Sequence, residues 1–375
     1  MPLENFISQL NSGRALSAAE VGGAISELLR DELAAELKAD FLSALARKGE
    51  SIGEITAFAS VLRDKSVAVP LDETTRAREI LDVVGTGGDR LNTFNISSTA
   101  ALLCAAAGVT VAKHGNRAAT SAAGSADVLE ALGVPLNLTP AAAATALREH
   151  GFAFFFAPNY HPAFKHIASA RKRCAARGQR TIFNFLGPLL NPVRPSAMLL
   201  GVPRPELCEP IAQVLQSLGV RRAMVVCGEV TEEKAEPLTR PAATLSPSDG
   251  ERDGVRGSPV RYLDEISTLG ETTVAEFYQE RGFTVSKFNP ESFPLQPATL
   301  ADLVGGDKLA NAETARRILR GDERGPKRDA VLLNAAAALF VAGACKSLVE
   351  GWELAGRLID DGRAARKLAQ LTASR

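Results

Sequence analysis

The sequence lacks paired cysteine motifs and an excess of either charge. Its five cysteines are scattered, odd in number and without CxxC spacing, which predicts buried, reduced thiols in a reducing compartment: Cys104, Cys174, Cys208, Cys227 and Cys345. The 43 basic side chains balance the 43 acidic ones, so the formal net charge is +0. This balance argues against a protein whose main role is to coat nucleic acid or an anionic membrane.

Long apolar runs and an export signal are also missing. The N-terminal segment MPLENFISQL has no basic start followed by an apolar core, so we expect no signal peptide. The longest apolar run, residues 330–345, is short, rich in alanine and interrupted by Asn334, which predicts a buried helix rather than a membrane span. With 375 residues, 46% of them hydrophobic, the chain can bury a large core. We therefore expect a cytoplasmic protein that does not enter a membrane.

Apolar periodicity divides the chain into two parts. Up to about residue 70 the spacing is helical, and after Pro70 short apolar strands alternate with helices. The strand candidates are residues 79–84, 109–112, 151–158, 198–202 and 223–227. Such alternation is typical of a largely parallel sheet. We predict the α/β class, with a small all-helical N-terminal domain and a larger α/β domain whose mostly parallel central sheet is flanked by helices.

A glycine-rich loop, GTGGD at residues 85–89, directly follows the first strand. Its glycines let the backbone approach a ligand closely, although a tight strand-to-helix turn would contain the same residues. The spacing fits neither the GxGxxG dinucleotide-binding fingerprint nor the Walker A loop. Just beyond it, NISST at residues 95–99 opens the next helix with amide and hydroxyl groups, which either cap that helix or meet an anion or its metal.

The most informative stretch is KHGNRAATSAAGSADVLEALG, residues 113–133. It places cations beside a bare backbone turn that leads into a helix, with Ser125 at the expected N-cap and Asp127 in the first turn. In such a turn the free N–H groups and the positive end of the helix dipole both favour an anion. Both glycine loops follow strands, so we expect them at the carboxyl edge of the sheet, where ligands bind in α/β folds. Together they predict a phosphate site.

Asp264 and Glu265 are adjacent carboxylates between apolar residues. Neighbours on a strand point to opposite faces, so both reach one site only if the chain bends or ends there. Mg²⁺ takes one or two carboxylates together with phosphate oxygens and water, so the pair suits a metal–diphosphate site. Without the two glycine loops, a solvated acidic pair would be the simpler interpretation.

Two further segments differ from their surroundings. Residues 161–180 predict a basic helix, whose cations either form a solvated face or include an arginine that pairs with a substrate carboxylate. Residues 229–261 are rich in Pro, Gly, Ser and charge and lack periodicity, which predicts a surface insertion. The insertion would serve either as a plain excursion or as a docking element for a partner. From residue 313 onward the spacing is helical again, with Gly321 and Gly362 as expected stops.

These motifs together resemble the anthranilate phosphoribosyltransferase family, nearly from end to end. GTGGD, KHGNR and RTIFNFLGPLLNP (residues 180–192) carry the likeness, followed in the family's order by LDEIS and GPKRDAVLLNAAAALFVAG. The resemblance implies transfer of the phosphoribosyl group from 5-phosphoribosyl 1-diphosphate (PRPP) to the amine of anthranilate, in tryptophan biosynthesis. It also implies two Mg²⁺ ions and a cytoplasmic homodimer. A helical domain at 1–72, completed by helices near 160–185, would stand beside a PRPP-binding α/β domain at 73–375.

Matching motifs imply the roles of individual residues. Those expected to hold PRPP are Gly85, Thr86, Gly88, Asp89, Thr93, Asn95, Ser97, Ser98, Lys113 and Ser125. Ser97, Asp264 and Glu265 would bind the metal ions through the diphosphate. The expected anthranilate contacts are Gly85, His114, Asn116 and Arg171, with Arg171 opposite the carboxylate. Because the amine is neutral and nucleophilic near pH 7, catalysis would rest on positioning and electrostatics, without a nucleophile or strong base.

Departures from the family pattern leave alternatives open. Extra residues after Arg171 make Arg173 or Arg177 an alternative carboxylate partner. Cys227 replaces a usual histidine, and Ala122 stands where relatives often carry Lys or Arg. Another aromatic amine or base as the acceptor is the alternative enzyme function. A non-enzymatic nucleic-acid binder on the same scaffold is the other, and the neutral charge and the retained acidic pair argue against it.

Overall fold

The computed structural model describes residues 1–118, 122–231 and 260–373. Its N-terminal part is helical, as the periodicity predicts: α1 (Leu3–Asn11), α2 (Ala18–Leu28), α3 (Ala35–Lys48) and α4 (Ile52–Asp64). Helices α2 and α4 begin with capping boxes, Ser17 with Glu20 and Ser51 with Glu54. Glu54 is fully buried and also accepts from the Leu16 N–H at 2.9 Å, which fixes the preceding loop to α4.

Within the described residues, one sheet of eight strands forms the centre of the larger domain. The strands are β1 (Ile80–Gly85), β2 (Thr110–Gly115), β3 (Phe152–Phe156), β4 (Ala197–Gly201), β5 (Arg222–Val230), β6 (Arg261–Leu263), β7 (Thr272–Tyr278) and β8 (Gly282–Phe288). Their order is β3-β2-β1-β4-β5-β7-β8, with β6 beside β5. Strands β1 to β5 are parallel, and β6, β7 and β8 are added antiparallel. The carboxyl ends of β1, β2 and β4 therefore lie together at one edge.

Helices cover both faces of this sheet. They are α5 (Glu73–Arg76), α6 (Ile96–Ala106), α7 (Ser125–Leu132), α8 (Pro140–His150), α9 (Ala157–Tyr160), α10 (Lys165–Ala176), α11 (Phe183–Leu186), α12 (Cys208–Ser217), α13 (Leu300–Leu303), α14 (Lys308–Arg320), α15 (Pro326–Val341), α16 (Leu348–Asp360) and α17 (Arg363–Ala373). Alternate strand residues face opposite sides, as the pleat requires. Leu199 and Val226 pack with α6 and α15, whereas Leu200 and Val225 pack with α12 and the N-terminal helices. The predicted fold class is confirmed.

Helix α10 packs against α3, so a mid-chain helix lies in the same core as the N-terminal ones. Cys174 of α10 is buried, and its thiol donates to the Ala39 carbonyl at 3.6 Å. Lys38 of α3 donates to the His166 carbonyl at 3.0 Å. The division of the chain at residues 72 and 73 stays a prediction.

Several predictions about buried segments hold. All five cysteines are buried and free. Residues 330–341 lie within α15 and are buried except for partly exposed Phe340, and none of the described helices is long and apolar enough to cross a membrane. Gly321 caps α14 with a φ of 83°, and Gly362, with a φ of 75°, follows α16. Positive φ at a helix end is the position where glycine is favoured.

Other elements differ from the prediction. The β7–β8 hairpin was not predicted, because residues 272–288 combine apolar and charged residues without a clear turn motif. The basic helix covers only Lys165–Ala176 and follows a 3₁₀ turn at Pro162–Phe164. Residues 232–259 of the insertion lie outside the described residues. Its two ends pair antiparallel, Val230 with Arg261, so the chain leaves and re-enters the sheet at one place.

Candidate active site

The GTGGD loop begins at the last residue of β1 and crosses the end of β4. Gly85 lies opposite Gly201, and the Thr86 N–H donates to the Gly201 carbonyl at 3.0 Å. A Cβ on Gly201 would lie 1.6 Å from the Asp264 carbonyl oxygen, and one on Gly85 would lie 2.7 Å from Asp264 Oδ2. Both positions must be glycine because the acidic segment rests directly on the strand ends.

Asp264 and Glu265 follow the end of β6, where the chain bends. Such a bend is what allows two adjacent carboxylates to reach one site. Asp264 is buried, and its Oδ2 accepts the Gly87 N–H at 2.5 Å. Glu265 turns the other way and accepts the Ser97 N–H, at the start of α6, at 3.1 Å. The bend thus directs one carboxylate to each side of the same cavity.

A cavity of about 160 Å³ lies between these groups. It is lined by Gly85, Gly87, Asp89, Arg90, Asn92, Thr93, Phe94, Asn95, Ser97, Ala123, Gly124, Asp264 and Glu265. Five of the ten residues expected to hold PRPP and all three expected metal ligands are therefore brought together. Thr86 and Gly88 line the neighbouring cleft instead. Ser98 lies below the cavity surface, where its buried hydroxyl has no hydrogen-bond partner among the described residues.

The acidic groups of this cavity repel one another. Burial, with Asp89 and Glu265 nearby, raises the pKa of Asp264 well above its ordinary value. Burial likewise raises the pKa of Glu265 to about 7, although Lys113 and the Ser97 N–H oppose the shift. No group of three or more His, Cys, Asp or Glu side chains in the described ranges is placed to hold a metal ion. Two buried carboxylates in one cavity suit a cation that takes its remaining ligands from a substrate.

Lys113 lies beneath the cavity in β2 and is 1% exposed. Its ammonium donates to the Val83 carbonyl at 2.5 Å. Burial lowers the pKa of Lys113, whereas Asp82 and Glu265 act to raise it. Asp82 has the larger of these two opposing effects, and it was missed in the sequence although a carboxylate inside an apolar strand is itself a signal.

A buried network holds Asp82 in place. Asn191, which is also fully buried, donates to Asp82 Oδ2 at 2.9 Å and to the Ala112 carbonyl at 2.7 Å. The His114 N–H donates to Asp82 Oδ1 at 3.4 Å. Burial raises the pKa of Asp82 to about 6, against the opposing effect of Lys113. The network links β1, β2 and the GPLLNP segment under the site.

The loop after β2 folds tightly against the start of α7. The Asn116 carbonyl accepts the Ala126 N–H at 3.2 Å, and a Cβ on Gly124 would lie 2.4 Å from the Ala118 N atom. The predicted N-cap at Ser125 is wrong by one residue. Gly124 occupies the cap and Asp127 accepts its N–H at 3.0 Å, because the close backbone contact leaves no space for a side chain there. Ser125 instead begins the helix, and its hydroxyl contacts the Asn116 carbonyl at 3.4 Å.

Arg117 faces away from the cavity. Its guanidinium pairs with Asp127 and Glu130 at 2.9 Å each. The neighbouring residues 119–121 lie outside the described ranges. Asn116 is exposed at this end of the loop.

The side expected to hold the acceptor consists of rings. His114 packs edge-on against His161 at 5.4 Å, His161 stacks on Phe164 at 5.2 Å, and Phe164 contacts Phe183 at 5.7 Å. Arg171 lies over the Phe183 ring at 5.3 Å. This chain of contacts links β2 to α10.

Two of the three candidate arginines are engaged elsewhere. Arg173 and Arg177 both pair with Glu36 of α3, and Arg177 also lies 3.5 Å from Asp40. Arg171 does not line the donor cavity, whereas Gly85 does.

His114 is buried and neutral. Burial, with His161 next in effect, lowers the pKa of His114 to about 3. Its Nε2 has no hydrogen-bond partner among the described residues. A neutral ring nitrogen of this kind can accept or donate to a substrate.

A cleft of about 410 Å³ separates α10 and the following loop from the GTGGD loop. Its walls include Gly87 and Gly88 on one side and Arg180, Asn184 and Phe185 on the other. It adjoins the donor cavity, because Gly87 and Arg90 line both spaces. Fold and site together define an α/β transferase with a polar cavity next to a wider cleft. Of the four residues expected to contact anthranilate, Gly85 lines the cavity and none lines the cleft.

Comparison with known proteins identifies the family. The helical-bundle domain of the glycosyl transferase family matches residues 4–66, and the a/b domain of that family matches residues 77–253 and 255–365. Anthranilate phosphoribosyltransferase of Lacticaseibacillus paracasei is 43% identical over 371 residues, which cover 99% of this chain and 97% of the relative.

Solved structures agree with that match. Anthranilate phosphoribosyltransferase from Thermus thermophilus is 38% identical, with a TM-score of 0.80 and coverage of 98% of both chains. The Saccharomyces cerevisiae enzyme in complex with PRPP and Mg is 26% identical, with a TM-score of 0.80, covering 99% of this chain and 97% of that one. The chain belongs to the anthranilate phosphoribosyltransferase family.

Proposed function

We propose that this chain transfers the 5-phosphoribosyl group of PRPP to the amine of anthranilate and releases diphosphate, the second step of tryptophan biosynthesis from chorismate. The observation that carries the proposal is the bend that brings Asp264 to the GTGGD loop and Glu265 to the start of α6, in a cavity that Ala123 and Gly124 of the second loop also line. Family membership supports the same reaction, since the yeast relative was solved with PRPP and Mg. The chain is accordingly an enzyme, a glycosyltransferase of the pentosyl-transferring kind.

The donor site we propose comprises both loops. The residues are Gly85, Thr86, Gly88, Asp89, Thr93, Asn95, Ser97, Ser98, Lys113 and Ser125. Backbone N–H groups of the glycine loop and of the start of α7 lie at the same edge of the sheet. They would donate hydrogen bonds to the phosphate oxygens. Lys113 would supply a fixed positive charge from below, kept protonated by Asp82.

We propose that Ser97, Asp264 and Glu265 hold two Mg²⁺ ions together with the diphosphate. The raised pKa values of the two carboxylates support a cation here, because burial and the neighbouring acids outweigh the opposing effect of Lys113 on Glu265. Bound Mg²⁺ would neutralise charge that develops on the leaving diphosphate. The chain's own contribution is to fix the carboxylates before the substrate arrives, so little reorganisation is needed.

Acceptor binding would use Gly85, His114, Asn116 and Arg171. Arg171 is the preferred partner for the carboxylate because Arg173 and Arg177 already pair with acids of α3. His114, neutral at physiological pH, would hydrogen-bond to the acceptor without competing for a proton. The anthranilate amine attacks the anomeric carbon directly and needs no strong base, so positioning provides most of the acceleration.

Loss of anthranilate fluorescence on mixing with PRPP and Mg²⁺ tests the reaction. We expect loss that depends on enzyme, stops with EDTA and is abolished in Asp264→Asn. Asp322→Asn, an exposed acid of the same domain, is the matched control and should react like wild type. PRPP binding without turnover of anthranilate would overturn the acceptor assignment and favour another aromatic amine.

A homodimer through the helical domain and a cytoplasmic location complete the proposal. Light scattering of the purified enzyme would test the dimer, and fractionation of the cells would test the location. A monomeric species that turns over at full rate would contradict the first.

A further inference from the structure

Asn311 lies at the centre of contacts between segments that are distant in sequence. It belongs to α14, is 3% exposed, and lies 216 residues from its partner Asn95. No sequence motif drew attention to it. Buried amides need all their hydrogen bonds satisfied, so a buried asparagine usually fixes a specific arrangement.

Three hydrogen bonds form a relay through this side chain. The Gly306 N–H donates to Asn311 Oδ1 at 2.7 Å, and Asn311 Nδ2 donates to Asn95 Oδ1 at 3.1 Å. Asn95 Nδ2 then donates to the Ala123 carbonyl at 3.2 Å. Asn95 precedes α6, just beyond the GTGGD loop, and Ala123 precedes α7 in the loop after β2. The relay therefore spans both sides of the donor cavity, which Asn95 and Ala123 line.

A backbone strap supports the relay. Residues 303–306 run beside residues 92–94, with Phe94 N donating to Leu303 O at 3.0 Å and Gly305 N to Asn92 O at 2.9 Å. A Cβ on Gly305 would lie 2.7 Å from Asn311 Oδ1 and 2.9 Å from Phe94 Cα. The strap consequently has no space to slide, and Asn311 lies at a fixed distance from the first loop.

We propose that Asn311 is a positioning residue for the donor site: it orients the Asn95 amide so that the two phosphate loops keep a fixed separation. The inference rests on the proposed PRPP site and goes beyond it, since Asn311 lines neither cavity and touches no reacting group. Asn311 must both accept from Gly306 and donate to Asn95. Only a side-chain amide satisfies both at this length.

Asn311→Asp removes the donor and changes almost no volume. Asn95 can then pair with the carboxylate only by turning its NH₂ group toward it, which directs its oxygen at the Ala123 carbonyl and breaks the second bond. We expect the dissociation constant of Mg²⁺–PRPP to rise about tenfold, the effect of losing a buried hydrogen bond. The KM for anthranilate should change less than about twofold, because no acceptor contact is altered.

Calorimetric titration with Mg²⁺–PRPP, alone and without any acceptor, measures the effect. Asn311→Ala, a neutral variant, separates loss of the relay from the added charge and should also weaken binding. Asn289→Asp makes the same chemical change at an exposed turn and should bind like wild type. Circular dichroism melting shows whether each variant folds.

A cycle with Asn95→Ala gives a second readout. If the two amides act as one unit, the double variant Asn311→Ala with Asn95→Ala binds no more weakly than Asn95→Ala alone. Fully additive losses, or unchanged PRPP affinity in folded Asn311 variants, would overturn the inference. Equal changes in both substrates' KM values would indicate a general structural role instead. Failure of wild type to bind PRPP would overturn the proposed function itself, a separate result.

Discussion

The donor side and the proposed acceptor side of the site consist of different kinds of groups. The donor cavity is walled by backbone and by buried carboxylates, which accept hydrogen bonds from the Gly87 and Ser97 N–H groups, while Asn191 holds Asp82 beneath them. The acceptor side is formed by stacked rings, with its cations on the surface of α10. The carboxylates of the donor side accept main-chain N–H groups, whereas the proposed acceptor side consists mostly of side chains.

This difference predicts which side tolerates substitution. At Gly201 an added Cβ would meet the Asp264 carbonyl at 1.6 Å, so even alanine would displace the acidic bend. Arg171 by contrast is exposed and lies over one ring. Donor chemistry is therefore built into the backbone, and acceptor preference can change through single side chains.

Removing the acidic pair should give the largest effect on activity. We expect Asp264→Asn or Glu265→Gln to lower kcat/KM by on the order of a thousandfold, because preset charge stabilisation of the leaving group is lost. Without ligand at pH 8 each variant should melt higher than wild type, because burial disfavours these charges. Steady-state kinetics and calorimetry check both expectations. Lower activity accompanied by lower stability would contradict the electrostatic explanation.

Substitution of Asp82, the buried carboxylate under the site, should give the second-largest effect. In Asp82→Asn the Lys113 ammonium loses its compensating charge, so its pKa falls and less of the positive form remains. We expect PRPP affinity to fall about thirtyfold at pH 7, the range for a charged hydrogen-bond network, and further at pH 9. Titrations at the two pH values test this. Asp72→Asn, at the distant N-cap of α5, is the control. An equal loss at both pH values would contradict a role through Lys113.

Substitution of Arg171, Arg173 and Arg177 in turn tests which arginine pairs with the carboxylate of anthranilate. Arg171→Gln should raise the KM for anthranilate about tenfold, since a solvent-accessible carboxylate pair is lost. Arg173→Gln and Arg177→Gln should leave that KM unchanged, because their guanidinium groups pair with Glu36. A larger effect at Arg177 than at Arg171 would move the carboxylate site along the helix.

Local patterns predicted the donor loops but not what lies beneath them. GTGGD, KHGNR and the acidic pair each show their chemistry within a few residues, and the strand that precedes each loop fixes its edge of the sheet. Asp82, Asn191 and Asn311 act through partners far away in sequence. The pairing of β1 with β2 brings Asp82 and Asn191 together, and the contact of residues 303–306 with residues 92–94 brings Asn311 to Asn95. No short pattern encodes such contacts.

Two smaller differences have local physical causes. Ser125 has the composition of an N-cap, but the close approach of Ala118 to Gly124 moves the cap back by one residue. In the sequence, Arg171 is the expected partner of the anthranilate carboxylate only because of the family resemblance. Sequence alone could not distinguish it from Arg173, because the distinction depends on where Glu36 of α3 lies.

The smallest expected effect is on the pH dependence of folding stability, which has opposite signs for the donor-side acids and for the two histidines. Asp82 and Glu265 have pKa values raised to about 6 and about 7, so the folded chain keeps protons that the unfolded chain has released. This contribution makes stability fall as pH rises from about 5 to about 7. His114 and His161 have lowered pKa values, so the unfolded chain binds their protons first and stability rises with pH over the same window.

In wild type these two contributions oppose each other, and the melting temperature of the unliganded enzyme should change little between pH 5 and pH 7. The double variant Asp264→Asn with Glu265→Gln removes the contribution of the acidic pair and leaves those of Asp82 and the two histidines. Its melting temperature should then rise by about 1–2 °C from pH 5 to pH 7, the shift for roughly 1 kcal/mol in a chain of 375 residues. His114→Asn should produce a fall in the same scan. Acids with lowered pKa values, such as Asp72, lose their contribution only below their ordinary range and do not affect this window. A parallel rise in both variants would show that the titrating groups lie outside the cleft.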